Sequence, residues 1–177
     1  MLIPSISDLN DMEGEIMHKY RLYNVLFPLW FFLFIPSTGF FILTFIGNII
    51  IDTLVLFLGC RLNHQDFKSA WKKCFLWIFG FGYLSDFIGG ALLMFISFSV
   101  GSSVAYAIQF NPYAHLLGFL ITAAITVLSG GLIYLFNLKI SFRRLPWTLS
   151  EKRKAALLLA ILTAPYLFLF PSIILYR

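Results

Sequence analysis

The chain has 177 residues, enough for one domain, with 60% hydrophobic residues, only 12% charged residues and a mean hydropathy of +0.87. Soluble domains carry about a quarter charged residues, so this composition excludes an ordinary water-soluble fold. The net charge of +5 would suit a nucleic-acid binder, but its distribution follows the positive-inside pattern of membrane proteins, and no nucleic-acid partner is expected.

Residues Met1 to Ile16 hold Asp8, Asp11, Glu13 and Glu15 and no helical periodicity. Met12 to Met17, MEGEIM, back-translates to a purine-rich ribosome-binding sequence ahead of a second ATG. In a bacterial gene the natural start is then expected at Met17; the competing reading is a short disordered acidic tail. A peptide covering Ile3 to Glu15 in mass spectra of the natural protein would eliminate the later start. Neither reading gives a signal peptide, because a basic n-region is missing there. Residues 17–177 are expected to form a single helical transmembrane domain.

Lys19 and Arg21 precede the apolar run Tyr23 to Ile35, closed by the turn formers Pro36-Ser37-Thr38-Gly39. About 13 residues at about 1.5 Å each reach only about 20 Å, against a hydrocarbon core of about 30 Å. This is read as a short first span, with a re-entrant or interfacial helix as the competitor. Phe40 to Cys60, FFILTFIGNIIIDTLVLFLGC, is long enough for a second span. The segment Arg61 to Lys73 is basic. A third span is expected from Cys74 to Phe98, with Trp71 and Trp77 at the level indoles prefer. Val100 to Tyr113 carries no charge. A fourth span is expected from Ala114 to Leu138, then a second basic segment from Lys139 to Lys154, and a fifth span from Ala155 to Leu175.

The fold class expected is therefore all-α, a polytopic membrane bundle of about five helices. Placing Lys19, Arg21 and both basic segments in the cytoplasm accounts for 12 of the 13 Lys and Arg residues, Arg177 being the other. The N-terminus is then cytoplasmic, the C-terminus outside, and the host the plasma membrane. Cys60 and Cys74 are expected as free cytoplasmic-side thiols. The basic segments, interleaved with Trp71 and Trp147, suit an anionic lipid surface.

Polar residues inside the spans are the informative ones. Thr44, Asn48 and Asp52 recur every fourth residue and share one helical face. Asp at mid-helix costs roughly 2.5–3.5 kcal/mol to insert, while each Leu, Ile, Val or Phe returns about 0.3–0.6. Fourteen such residues lie between Phe40 and Cys60, so Asp52 is tolerated but not explained. In the third span Gly82, Asp86, Gly89 and Gly90 share a face, with Ser85 beside it. Small residues admit another backbone, so Asp86 is expected at a helix contact near Asp52. In the fourth span His115, Gly118, Thr122, Thr126 and Ser129 form a stripe, with Gly130 a second packing point and Asn137 further on. A polar intramembrane site built on Asp52 and Asp86 is expected, with Asn48, Thr44, His115, Thr122, Thr126 and Ser129 around it. With no Lys or Arg inside a span, a proton, an inorganic cation or an amine-bearing substrate takes the positive role. Interhelical hydrogen bonding alone is the plainer account. Pro165 and Pro171 are expected to bend the last span, freeing carbonyls near Ile161 and Leu167.

Catalytic patterns fail one by one. Two membrane aspartates suggest an intramembrane aspartyl protease, but GYLSD departs from the GxGD pattern of those enzymes. Ser129 in VLSG lacks the first glycine of GxSG, and His115 is about four turns away on the same helix. Cys60, His64, Asp66 and Cys74 match no metal-site spacing, and no phosphate-binding glycine loop is present. Neither metal nor cofactor is expected, and no catalytic residue is assigned. Length and span count are similar to those of small substrate-binding membrane subunits of vitamin uptake systems. Those have six spans and an alanine-rich coupling helix, so no residue is carried over. The sequence reading is a transporter-like or channel-like protein or such a subunit. A structural subunit, assembling with another membrane protein or with itself through its small-residue faces, is the alternative, and an intramembrane hydrolase the third reading.

Overall fold

The computed structural model describes residues 39–176, so the acidic tail and the short first span lie outside the described residues, as does the side chain of Thr44. Among the described residues every regular element is helical. Helix α1 spans Gly39–Leu62, α2 Phe67–Ser99, α3 Ser102–Phe110, α4 Leu116–Lys139 and α5 Leu149–Leu162. Three helical segments are long and apolar enough to cross a membrane: Phe45–Leu62, Phe67–Ser99 and Leu116–Arg144.

The α1–α2 turn is shorter than the basic segment that encodes it. His64, at φ 52°, ends α1 in the left-handed region. Gln65 N donates to Cys60 O (2.9 Å) and His64 N to Arg61 O (3.3 Å), the paired bonds of a Schellman stop. Asp66 then starts α2 as its N-cap, accepting from Ser69 N at 2.8 Å. Lys68, Lys72 and Lys73, in the basic segment ahead of the expected third span, thus sit in the first turns of α2. The uncharged Val100 to Tyr113 stretch likewise holds helix α3, whose Ala107 and Ile108 are buried. A Cβ on Gly118 would come within 2.5 Å of Ala107 Cβ, so that glycine lets α3 lie close on α4.

The final segment is the largest departure from expectation. A single helix over Ala155 to Leu175 does not form: α5 begins at Leu149, on a Thr148–Glu151 capping box, and stops at Leu162. Pro165 has no N–H to donate and its ring blocks the preceding turn. The Tyr166 hydroxyl donates to the Ile161 carbonyl that the break exposes. The chain continues in 3₁₀ turns, Tyr166–Leu169 and Ser172–Tyr176. Ser172 Oγ donates to Gln109 O of α3 at 3.1 Å. The segment therefore runs from the basic end of the molecule to the end that holds α3, part helix and part tight turn.

Helix α2 packs on α1, α3 and α4, and α4 packs also on α5. Two apolar clusters result. One, at the basic end, gathers Leu56, Cys60, Cys74, Ile78, Ile133, Phe142, Leu145, Trp147, Ala156 and Leu159. The other, toward α3, gathers Leu93, Ile108, Ile125 and Phe168. Trp147, expected at a lipid surface, is instead buried and packed on Phe142 with ring centroids 5.5 Å apart, while Trp71 is exposed. Outside the clusters the pattern is inverted relative to water-soluble proteins. Ile42, Leu43, Ile50, Leu54, Leu76, Phe95, Phe98 and Val127 face outward while Asp52, Ser85, Asp86, Thr126 and Ser129 face inward.

Candidate functional site

Between the two apolar clusters lies a layer made of small and polar residues. On α2 it runs from Gly82 to Gly90, between Ile78 of one cluster and Leu93 of the other. On α4 it is Thr126, Ser129 and Gly130, between Ile133 and Ile125. From α1, Asp52 enters one turn beyond Val55. Apolar residues set the two boundaries and small ones set the close approach within.

Asp52 and Asp86 are only 5% and 9% exposed. Asp52 Oδ2 lies 3.6 Å from where a Cβ on Gly82 would be, so the carboxyl rests on the bare backbone of α2 one turn from Asp86. Asn48, one turn before Asp52 on α1, is half-buried. Asp86 Oδ1 and Ser129 Oγ are both buried without a hydrogen-bond partner. These two atoms belong to facing helices. A Cβ at Gly89, one turn past Asp86, would collide with Ser129 Oγ and would stand 2.8 Å from Phe168 Cε2. The space above Gly89 is thus already filled by the Ser129 hydroxyl and by the ring that the broken final segment delivers.

Several of the other polar residues bond within their own helices rather than to the carboxyls. Thr122 Oγ1 donates to Gly118 O and Thr126 Oγ1 to Thr122 O, both at 2.9 Å, and Ser85 Oγ to Phe81 O at 2.7 Å. Their protons are spent within their own helices. Asn137 Nδ2 donates to Ile133 O at 2.9 Å. His115 is the N-cap of α4, its Nδ1 accepting from Leu117 N at 3.2 Å. It lies about 20 Å along the helix from Ser129 at about 1.5 Å per residue. Phe168 is the residue that sequence reasoning missed. Its only signal was the neighbouring Pro165, which says that the helix ends but not where the next ring goes.

The small-residue faces proposed for assembly pack largely within the chain. Gly82 lies against Asp52, and Gly89 against Ser129 and Phe168. A Cβ on Gly130 would stand 3.2 Å from Ala160 O, so α5 approaches α4 closely there. Gly80 and Gly131 have open space. Cys60 and Cys74 are free and buried, and Cys74 Sγ donates to Ser141 O at 3.0 Å. Among the described residues no group of three or more His, Cys, Asp or Glu is placed to hold a metal ion.

Fold and site together define a chain whose described residues form only helices, three of them long and apolar enough to cross a membrane, with two carboxyls buried in a layer between apolar clusters. No protein-family model, curated protein or solved structure matches it.

Proposed function

We propose that the chain is a small multi-pass integral membrane protein, transporter-like or channel-like or the substrate-binding membrane subunit of such a system, whose working site is the Asp52–Asp86 pair. The observation that carries this reading is Asp86 Oδ1, an acceptor buried midway along the long apolar helix α2 with no hydrogen-bond partner, one turn from the glycine on which the Asp52 carboxyl rests. A carboxylate stripped of water without a partner is costly, so such a group holds a proton or takes up a cation when it ionises. Among the described residues no Lys or Arg shares the layer to do this permanently. The species bound is a proton, a small inorganic cation or an amine. Ser129 Oγ, unpartnered on the facing helix, supplies a neutral oxygen to the same centre.

The test uses the full chain in proteoliposomes carrying an internal pH-sensitive dye, with a potassium diffusion potential across the membrane. Wild type is expected to move protons or the co-supplied cation well above empty liposomes, and Asp52→Asn and Asp86→Asn to abolish the movement while remaining folded. Flux equal to that of empty liposomes for every cation offered would end the reading. Aspartyl hydrolysis is the less favoured reading, because Ser129 and Phe168 fill the space over Gly89, one turn from Asp86.

In this reading the basic end is cytoplasmic. Every Lys and Arg from Arg61 to Lys154 lies at that end, on the close of α1, the start of α2, the close of α4, the 3₁₀ turn after it and the start of α5. The N-terminus is cytoplasmic, and the C-terminus is outside because Ser172 is tied to α3. A reporter fused after Arg177 is expected to be active only in its periplasmic or extracellular form.

A further inference from the structure

We infer that the face where α2 meets α4 and the 3₁₀ turn after it seats one acidic phospholipid, with its phosphate on Lys73 and Arg144 and an acyl chain along Trp77, Phe81 and Phe136. Lys73, Trp77 and Phe81 follow one another at four-residue spacing on one face of α2. The Trp77 and Phe81 rings stack at 5.7 Å, and Phe81 stacks on Phe136 of α4 at 5.0 Å, which makes a continuous aromatic wall across the two helices. Trp77 is 41% exposed, so the wall is open to a ligand from outside.

The charged rim is held in place rather than trailing. Arg144 ends the 3₁₀ turn Ser141–Arg144, whose Phe142 is anchored in the basic-end cluster. Its guanidinium lies over the Trp77 ring, 5.5 Å from the centroid. Lys73 precedes Trp77 by one turn on the same face of α2, so its ammonium and the Arg144 guanidinium flank the same indole. The two carboxylates at this end, among the described residues, are engaged elsewhere. Asp66 caps α2, and Glu151 accepts from Thr148 and Gln65. A concentrated positive rim whose nearby acids are committed elsewhere, directly above an apolar wall, is complementary to a headgroup phosphate above an acyl chain. Topology alone requires positive charge at this end, not a guanidinium fixed on an indole above an aromatic ladder.

This inference is independent of what the aspartate pair does, and its test reads lipid retention rather than flux. The full chain, purified in mild detergent, is titrated with phosphatidylglycerol or phosphatidylcholine and examined by native mass spectrometry. One phosphatidylglycerol is expected to be retained in preference to phosphatidylcholine. The double variant Lys73→Gln/Arg144→Gln is expected to weaken retention about tenfold. Trp77→Ala is expected to weaken it less, and the exposed pair Arg153→Gln/Lys154→Gln not at all. Equal retention of phosphatidylcholine would overturn the inference. So would equal loss in the two double variants, which would mean a diffuse charge effect. Displacement by millimolar inorganic phosphate would make the site a free-anion site and overturn it as well.

Discussion

The basic-end cluster and the polar layer above it are built from the same helices, yet they treat polar groups differently. At the basic end the polar side chains close turns. Asn63 Nδ2 donates to Gly59 O and Glu151 O, Gln65 Nε2 to Glu151 Oε1, and the Cys74 thiol to Ser141 O. Two atoms there lack partners, Asn137 Oδ1 and Ser141 Oγ. Both are neutral, and their residues are bonded through Asn137 Nδ2 and the Ser141 carbonyl. In the polar layer the two unpartnered atoms are Ser129 Oγ and Asp86 Oδ1, and the second is a carboxyl oxygen one turn from the glycine that the Asp52 carboxyl rests on. A neutral unpartnered group costs about 1–3 kcal/mol, and an ionised one far more. The difference is one of the capacity to ionise rather than of number.

Substitutions that break this comparison should differ in size. Ile78, 1% exposed, fills the basic-end cluster. Ile78→Ala is expected to cost about 2 kcal/mol, the low end for soluble cores, since lipid rather than water is the competing environment. Denaturant titration in mixed micelles measures it. Gly89→Ala should come next, at about 1–3 kcal/mol of overpacking, because the added methyl meets both Ser129 Oγ and the Phe168 ring. Pairing it with Ser129→Ala should recover part of the loss and Phe168→Leu more. Full additivity in those double-mutant cycles would show that the three residues do not share one space.

The sequence shows the layer better than it shows its neighbours. Helical spacing alone puts Asp86 on a face with Gly82 and Gly89, and the structure has Asp52 resting on Gly82. The three long apolar helices are legible from hydropathy, with ends displaced by a few residues. Hydropathy cannot see caps, so Asp66 and His64 move the start of α2 into the basic segment. Spacing also does not say where a hydroxyl proton goes. The Thr122–Thr126 stripe is real as a face, but each hydroxyl is spent on the preceding turn. The last segment reads as one helix only while its apolar content is allowed to outweigh Pro165 and Pro171. In the fold those prolines decide the backbone, and the apolar content decides only its depth.

A smaller effect is expected at the α5 start, and it sharpens the basic-end half of the comparison. Thr148→Ala removes the capping box and should cost about 1 kcal/mol. The backbone N–H of Thr148, its hydroxyl and the Gln65 amide hold Glu151 below the ordinary carboxylate range. A depressed carboxyl stabilises the fold above its unfolded pKa, and that contribution disappears as pH falls through the folded value. The thermal midpoint should therefore drop on acidification below the ordinary carboxylate range, and the drop should be smaller in Glu151→Gln.

The smallest stability change is expected where the functional change is largest. Asp86→Asn keeps the shape of the side chain and removes only its capacity to ionise, so unfolding should move by less than about 1 kcal/mol. Thr148→Ala, on an exposed turn, should cost as much or more. If Asp86→Asn instead destabilised the chain as strongly as Ile78→Ala, the carboxyl would be a structural element whose acidity the fold depends on. Near-neutral stability together with lost flux would separate the two regions: one holds the helices together, and the other is held open to a positive charge by them.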